Sequence, residues 1–211
     1  MIGIVDYGLG NVKAFQNVYK RVNIKCELID SPKKILGAEK LILPGVGSFD
    51  HAMSLLNKSG LREALDQSVL VMNKPVIGIC VGMQMMANNS DEGSSDGLGW
   101  IPGTVRKFFW NDSNLKSTYP QPHMGWNSLE VKKKNKLTED LDLEKGFYFL
   151  HSYYFESANT ETTIAETAYG INFECIVNKG NIFGIQFHPE KSHNNGITLL
   201  KNFHNYKHAE S

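Results

Sequence analysis

The sequence lacks an excess of charge of either sign. Its 211 residues include 22 Lys and Arg against 22 Asp and Glu, so the formal net charge is zero at pH 7. A clustered basic excess is the usual electrostatic mark of nucleic-acid binding, and only the short run at residues 132–136 approaches one. That run is interrupted by Asn135 and is typical of a solvated turn. We therefore expect no nucleic-acid partner.

Long hydrophobic runs and cysteine pairs are also missing. The longest apolar runs, such as residues 75–79, are far shorter than the roughly 18 residues that a membrane-spanning helix needs. The first residues are typical of a strand and not of a cleaved signal peptide. Three cysteines without a Cys-x-x-Cys pair favour neither a disulfide framework nor a zinc site. We expect a cytoplasmic protein with no membrane contact, no metal ion and no cofactor.

What is present is a chain long enough to bury a large core, with 41% apolar residues. In the first half, short β-branched runs alternate with amphipathic ones, which is the pattern of βα units around a mostly parallel sheet. Strands are predicted at residues 2–5, 25–30, 40–44 and 75–79, and helices at 11–22 and about 61–72. After residue 103, antiparallel strands are predicted at 104–109, 127–131, 162–168 and 174–177, an exposed loop at 110–122 and a closing helix at 196–206.

The strongest chemical signal is the segment Gly78-Ile79-Cys80-Val81-Gly82. It lies between a predicted buried strand and a helical pattern, which is the arrangement of a nucleophile elbow. Glycine suits both flanks because a side chain there would crowd the neighbouring strand and helix. The N-terminus of the following helix would favour a thiolate. Cys80 is therefore the predicted nucleophile, whereas Cys26 and Cys175 have the surroundings of buried strand residues.

A cysteine nucleophile needs a base, and the chain has seven histidines. His188 closes a strand-like run at residues 181–187 and stands two positions before Glu190. In extended backbone these two side chains face the same side, so Glu190 could orient the His188 ring as the third member of a triad does. His151 and His123 remain alternative bases, because spacing alone does not exclude them.

A glycine-containing turn, Gly45-Val46-Gly47, follows the strand predicted at 40–44. Its backbone N–H groups could stabilise an oxyanion. A phosphate-binding P-loop is excluded because no Gly-Lys-Ser/Thr follows. A plain turn that leads into a helix remains the alternative.

Dinucleotide binding is a competing hypothesis. Gly8 and Gly10 follow the first predicted strand and Asp30 ends the second, as a nicotinamide dinucleotide-binding unit requires. Lys13, however, occupies the position of the third glycine, where a bulky residue would prevent close packing of helix on strand. Nicotinamide binding is therefore the weaker hypothesis.

Several motifs together resemble those of the class I (triad) glutamine amidotransferases over nearly the whole chain. They are DYGLGN at 6–11, PGVGSF at 44–49, GICVGMQ at 78–84, HMGWN at 123–127, FLHSY at 149–153 and QFHPEKS at 186–192. The resemblance implies one amidotransferase domain over residues 1–211. Its fold would be α/β, with a central, mostly parallel sheet flanked by helices and an antiparallel C-terminal extension.

The resemblance also implies a reaction, in which L-glutamine is hydrolysed to glutamate and ammonia. Cys80 would attack the side-chain amide, His188 would carry the proton and Glu190 would orient His188. The oxyanion hole would be formed by Val46, Gly47 and Val81, and the substrate would be held by Gln84 and Glu92. A carboxylate at Glu92 suits the α-ammonium group of glutamine.

The motifs are most similar to those of family members that pass ammonia to a (β/α)8-barrel cyclase subunit, so the resemblance implies a heterodimer. The residues that match interface positions are Asn11, Trp126, Tyr148 and Lys191. Related subunits supply enzymes that amidate sugars, and that acceptor stays open. Two other classes also stay open: a cysteine peptidase or other hydrolase with the same elbow, and a non-catalytic binding module.

Overall fold

A computed structural model of the chain describes residues 1–207. Its strands are β1 Ile2–Val5, β2 Cys26–Ile29, β3 Lys40–Gly45, β4 Val76–Cys80, β5 Asn89–Ser90, β6 Gly103–Lys107, β7 His123–Asn127, β8 Glu130–Val131, β9 Phe147–His151, β10 Tyr153–Ser157, β11 Thr163–Tyr169, β12 Ile171–Lys179 and β13 Ile182–Ile185. Its α-helices are α1 Val12–Arg21, α2 Pro32–Gly37, α3 Phe49–Ser59, α4 Arg62–Asp66, α5 Val81–Gln84, α6 Ser113–Thr118 and α7 His193–Asn205. A π-helical segment, Gln67–Val71, continues α4.

The main sheet has a parallel part and an antiparallel part. Strands β2, β1, β3, β4 and β13 lie side by side in that order, and every pairing among them is parallel. Beyond β13 the sheet continues through β12, β10 and β6 with antiparallel pairings. Strands β7 and β9 form a separate antiparallel pair. This architecture confirms the expected α/β class, a mostly parallel sheet with an antiparallel extension.

The parallel strands β1, β3, β4 and β13 are buried on both faces. In β4, Val76, Ile77 and Ile79 are all fully buried, which explains why this strand appears in the sequence as a continuous apolar run. In doubly wound sheets of this order, binding sites lie beyond the carboxyl ends of the strands. The carboxyl ends of β3, β4 and β13 are adjacent, and the candidate site lies there.

Three predictions of secondary structure are wrong in part: a strand, a helix and a loop. Residues 127–131 are not one strand, because β7 pairs with β9 while β8 pairs with β11. Between the two strands the buried Leu129 bonds through its N–H to Leu143 O. The helix predicted at 61–72 is α-helical only over Arg62–Asp66, because Gln67–Val71 is a π-helix.

The segment predicted as an exposed loop at 110–122 contains helix α6. The Asp112 carboxylate accepts a hydrogen bond from Asn114 N–H (2.7 Å) and so caps the helix N-terminus. Trp110 is buried, and its indole N–H donates to Tyr119 O (2.9 Å). The polar composition of this segment therefore reflects helix capping as well as solvent exposure.

The glycines beside Cys80 are needed for packing, as the sequence predicts. A Cβ atom added at Gly82 would overlap the carbonyl oxygen of Leu43 in β3, and one at Gly78 would lie 2.6 Å from Gly82 O. Both obstacles are backbone atoms, which cannot move aside as a flexible side chain can.

We expect Gly82→Ala to lower the free energy of unfolding by about 1–3 kcal/mol, because the added methyl overpacks a rigid turn. Urea unfolding monitored by circular dichroism measures the change. Gly37→Ala in α2 is the matched control, since a Cβ there meets no atom within 4 Å. That variant should be neutral or up to about 1 kcal/mol more stable. Equal losses in the two variants would contradict the packing explanation.

Candidate active site

Cys80 lies at the junction of β4 and α5, with a backbone conformation that residues other than glycine rarely adopt. Its φ is +56° and its ψ is −114°, which is strained for a residue with a Cβ. A strained turn from strand to helix is the geometry of a nucleophile elbow. Helix α5 is only one turn long, shorter than the sequence pattern indicates. It can therefore offer its first backbone N–H groups, but not the dipole of a long helix.

The structure brings His188 and Glu190 beside this turn. His188 Nδ1 lies 2.9 Å from Glu190 Oε1, and the His188 ring lies close enough to the Cys80 side chain to interact with it electrostatically. The side chains of His188 and Glu190 are only 4% and 3% exposed. They meet Cys80 because β13 and β4 are parallel neighbours, so residues just beyond the ends of both strands lie together.

His123, His151 and His188 are all buried, but they differ in their protonation. Burial lowers the pKa of His188, but the hydrogen bonds and charges of Cys80 and Glu190 outweigh it and raise the pKa to about 10. Burial lowers the pKa of His123 to about 4 and that of His151 to about 3. At neutral pH, His188 is therefore the imidazolium among the three.

In the alternative bases, His151 and His123, both ring nitrogens already have other hydrogen-bond partners, so none is available to Cys80. His151 Nδ1 lies 2.8 Å from Tyr153 O, which can only accept, so Nδ1 carries the ring proton. His151 Nε2 then accepts from His123 Nδ1 (3.0 Å). The other nitrogen of His123 lies 3.3 Å from Asn127 Nδ2. This geometry favours His188 as the base.

A cavity of about 290 Å³ opens beside the Cys80 sulfur, at the lower end of the range for small-molecule sites. The sequence-predicted residues that line it are Val46, Gly47, Cys80, Val81, Gln84, Glu92, His188 and Lys191. The remaining wall is formed by Pro122, Leu150, His151, Ser152 and Tyr153. Glu190 does not line the cavity and contacts it only through His188.

Gly45, the last residue of β3, and Gly47, in the turn that follows, have different roles. Gly45 is buried opposite Cys80 in the β3–β4 pairing, and a Cβ there would overlap Gly82 N. Gly47 has a φ of +85° and open space around it. Gly45 is therefore fixed by packing, and conformational freedom at Val46 comes from the Gly47 side.

The two predicted substrate-binding residues are oriented by other parts of the chain. The Gln84 side-chain NH₂ donates to Tyr153 O (3.1 Å) and to Gln186 Oε1 (3.1 Å), which leaves only Gln84 Oε1 for a ligand. Glu92 Oε2 accepts from the backbone N–H of Phe49 (2.8 Å) at the start of α3. Sequence reasoning missed Gln186, although it lies in one of the quoted motifs.

The predicted interface residues lie mostly outside the cavity. Trp126 and Tyr148 are opposite each other in the β7–β9 pair. Trp126 is 42% exposed and stacks on His193 with 5.4 Å between ring centroids. Lys191 Nζ lies 5.6 Å from the centre of the Tyr148 ring, a cation–π contact. Asn11 is exposed at the start of α1, and its side chain does not cap the helix.

The two glycines of the competing dinucleotide motif are explained without a ligand, Gly10 by packing and Gly8 by its φ of +91°, which favours glycine. A Cβ at Gly10 would lie 2.9 Å from Pro44 Cβ, and the Tyr7 hydroxyl donates to Pro44 O (2.8 Å). Asp30 forms an ion pair with Lys34 (2.9 Å). The nicotinamide hypothesis therefore gains no support. Within residues 1–207, no His, Cys, Asp and Glu cluster could hold a metal ion, and no helix is long and apolar enough to cross a membrane.

Comparisons with known proteins establish the family and the fold. The family model for class-I glutamine amidotransferases matches residues 3–205. A solved structure of a glutamine amidotransferase shares the fold, with a TM-score of 0.70 and 19% identity over 96% of both chains. A Thermotoga maritima PurLQS structure covers 97% of both chains at a TM-score of 0.71 and 16% identity. The chain therefore belongs to the class-I glutamine amidotransferase family.

Curated relatives define its place within that family. The chain is 53% identical over 203 residues to the imidazole glycerol phosphate synthase subunit HisH of Bdellovibrio bacteriovorus, and 50% identical to that of Leptospira interrogans. Each match covers 96% of this chain and 98% of the relative. Within the class-I amidotransferases the chain belongs with the HisH subunits, and the resemblance found in the sequence is confirmed.

We expect nuclear magnetic resonance at pH 7 to show a protonated His188 ring beside neutral rings of His123 and His151. Long-range ¹H–¹⁵N spectra from pH 5 to 9 measure each ring. The neutral rings should carry their proton on Nδ1 and should not titrate in this range. Because the raised folded pKa of His188 stabilises the fold below its unfolded value of about 6.5, that contribution should fade as the pH rises toward 10.

Glu190→Gln is the control, since it removes one of the two groups that raise the pKa of His188. The midpoint of His188 should be lower in the variant than in the unsubstituted chain. A His188 that titrates near 6.5 in both proteins would contradict the charge assignment.

Proposed function

We propose that this chain hydrolyses L-glutamine to glutamate and ammonia, with Cys80, His188 and Glu190 as the triad. The observation that carries the proposal is the series of buried side chains Cys80, His188 and Glu190, in which His188 is hydrogen-bonded to Glu190 and interacts electrostatically with Cys80, with the sulfur at the wall of a small cavity. A raised His188 pKa supports it, because a protonated imidazole beside a sulfur is the form in which the nucleophile attacks.

In the first half of the reaction, Cys80 Sγ attacks the side-chain amide carbon of glutamine. A C–S bond forms and the carbonyl electron pair moves to oxygen. Val81 N–H and an N–H of the Val46–Gly47 turn stabilise this oxyanion. The His188 imidazolium then gives its proton to the amide nitrogen, the C–N bond breaks, and ammonia leaves behind a thioester.

In the second half, water attacks the thioester carbon. His188, now neutral, takes a proton from the water, and the C–S bond breaks to release glutamate and free Cys80. Glu190 keeps the His188 ring oriented in both halves. The sum is glutamine plus water giving glutamate plus ammonia.

The cavity offers two groups for the amino-acid end of the substrate. The Glu92 carboxylate binds the α-ammonium group, since a charge-assisted hydrogen bond is the strongest contact available to it. Gln84 contributes Oε1, because its NH₂ is already used by Tyr153 O and Gln186. This division gives the site a preference for a free amino acid over an internal peptide residue and so argues against a peptidase.

We further propose a heterodimer with a HisF-type (β/α)8-barrel cyclase, which would use the ammonia to make imidazole glycerol phosphate and AICAR. The names of the relatives favour this acceptor over sugar amidation. The chain presents exposed Met124 and Trp126 on β7, and Lys191 connects the neighbouring Tyr148 to the cavity wall. These residues, with Asn11, are the proposed interface.

We expect a diazo-ketone analogue of glutamine to label Cys80, located by mass spectrometry. Cys26 is the internal control, because it is half-buried yet lies outside the cavity. Cys80→Ala and His188→Ala should each lower glutamate release by at least about 10³-fold, and Glu190→Gln by less. Label on Cys26 or Cys175, or full activity in Cys80→Ala, would refute the assignment. A greater loss in His151→Ala than in His188→Ala would move the base to His151.

We expect the isolated chain to release glutamate slowly, and at least about a hundredfold faster with the barrel partner and its acceptor ligand bound. One oxyanion donor is worth about 10²–10³ in rate, so a rotation of the Val46 peptide is a sufficient switch. Val46→Pro deletes that N–H and should abolish the increase. Val46→Ala keeps the N–H and is the matched control. High activity without the partner would refute the switch, and a fully active, folded Val46→Pro variant would refute this donor.

A further inference from the structure

Gln186 is a buried polar residue that the proposed mechanism does not use. It follows β13 directly, and its side chain is fully buried. It does not line the cavity, so it is outside the reach of a substrate there. A buried primary amide is costly unless its donors and acceptor are paired. Its partners therefore indicate what it does.

The orientation of the Gln186 amide is determined by a backbone carbonyl. Tyr153 O can only accept a hydrogen bond, so the NH₂ end of Gln84 must face it. The same NH₂ reaches Gln186 Oε1 at 3.1 Å. The NH₂ end of Gln186 must then point the other way, toward Cys80 Sγ at 3.8 Å. An exchange of the two ends of the Gln84 amide would place oxygen against oxygen at both of its contacts, and an exchange of the two ends of Gln186 would place its NH₂ against the NH₂ of Gln84.

The surroundings of the Cys80 sulfur consequently suit a sulfur that accepts hydrogen bonds. Gln186 Nε2 donates to it, and the buried His188 ring lies close enough to interact with it electrostatically. The hydrogen bond that the thiol itself donates is a long one, to Leu150 O at 3.9 Å. A donor that is itself held by buried partners also restricts rotation of the Cys80 side chain about its Cα–Cβ bond.

We propose that Gln186 is a positioning residue for the nucleophile: it donates to Cys80 Sγ and aims the sulfur into the cavity, with its own direction set by Gln84 and Tyr153. The inference rests on the proposed function of Cys80. Because Gln186 lies outside the cavity, its loss should lower the reactivity of the sulfur and leave glutamine binding almost unchanged.

The test compares Gln186→Met, which has a similar length and no donor, with the unsubstituted chain in its complex. We expect kcat for glutamate release to fall about 10- to 100-fold, the usual weight of a hydrogen bond to a charged group, and KM to change less than about threefold. Alkylation of Cys80 by iodoacetamide should slow by a similar factor, because that reaction needs the sulfur but not glutamine.

Thr167→Val is the matched control, since it also removes a buried side-chain hydrogen bond, to Ser128 O, away from the site. It should lower stability without slowing alkylation. If Gln186→Met fails to fold, the unsubstituted chain still decides the question, because the Gln186 NH₂ resonances should shift when Cys80 is alkylated.

Three outcomes overturn the proposal. They are an unchanged rate of Cys80 alkylation in folded Gln186→Met, a change in KM with no change in kcat, or Gln186 NH₂ resonances that do not shift when Cys80 is alkylated. Failure of the underlying function is distinguishable, because it would appear as glutamate release that persists in Cys80→Ala. The alkylation rate would still report whether Gln186 acts on the sulfur.

Discussion

The close contact between β3 and the turn that carries Cys80 determines where the nucleophile stands. Gly45 packs against Gly82 N, and Gly82 packs against the carbonyl of Leu43. These contacts leave no room for a side chain, so the backbone around Cys80 is held in its strained conformation by its neighbours. The same contact places the Val46–Gly47 turn beside the sulfur, so one packing constraint positions both the nucleophile and its candidate oxyanion donor.

Neighbouring charges then give the three buried histidines different pKa values, although burial alone would lower the pKa of all three. His123, His151 and His188 are all buried, and burial lowers the pKa of each. The rings of His123 and His151 bond to each other, to a carbonyl and to an amide, none of which carries a negative charge. Only His188 has a carboxylate and a sulfur as partners, so it alone gains enough to hold a proton at neutral pH.

The sequence predicts those elements of the fold whose residue pattern depends only on near neighbours in the chain. Strands β1, β3 and β4 are mainly apolar runs because both faces are covered, and the glycine spacing around Cys80 reflects steric limits within a few residues. The division at residues 127–131 and helix α6 were mispredicted, since the first depends on pairing with distant strands and the second on a single Asp112 cap.

The same distinction applies to the site. The triad was predictable because Cys80 stands between spaced glycines and Glu190 stands two residues from His188, and both are short-range signals. The roles of Gln186, Tyr153 and His123 were not, because their hydrogen bonds join residues 28 to 106 positions apart. A backbone carbonyl such as Tyr153 O leaves no mark in the residue type at all. Yet this acceptor sets the direction of the Gln84 amide, and Gln84 in turn sets the direction of the Gln186 amide that faces the sulfur. A backbone carbonyl that the sequence does not reveal therefore helps to orient Cys80, the residue that the sequence reveals most clearly.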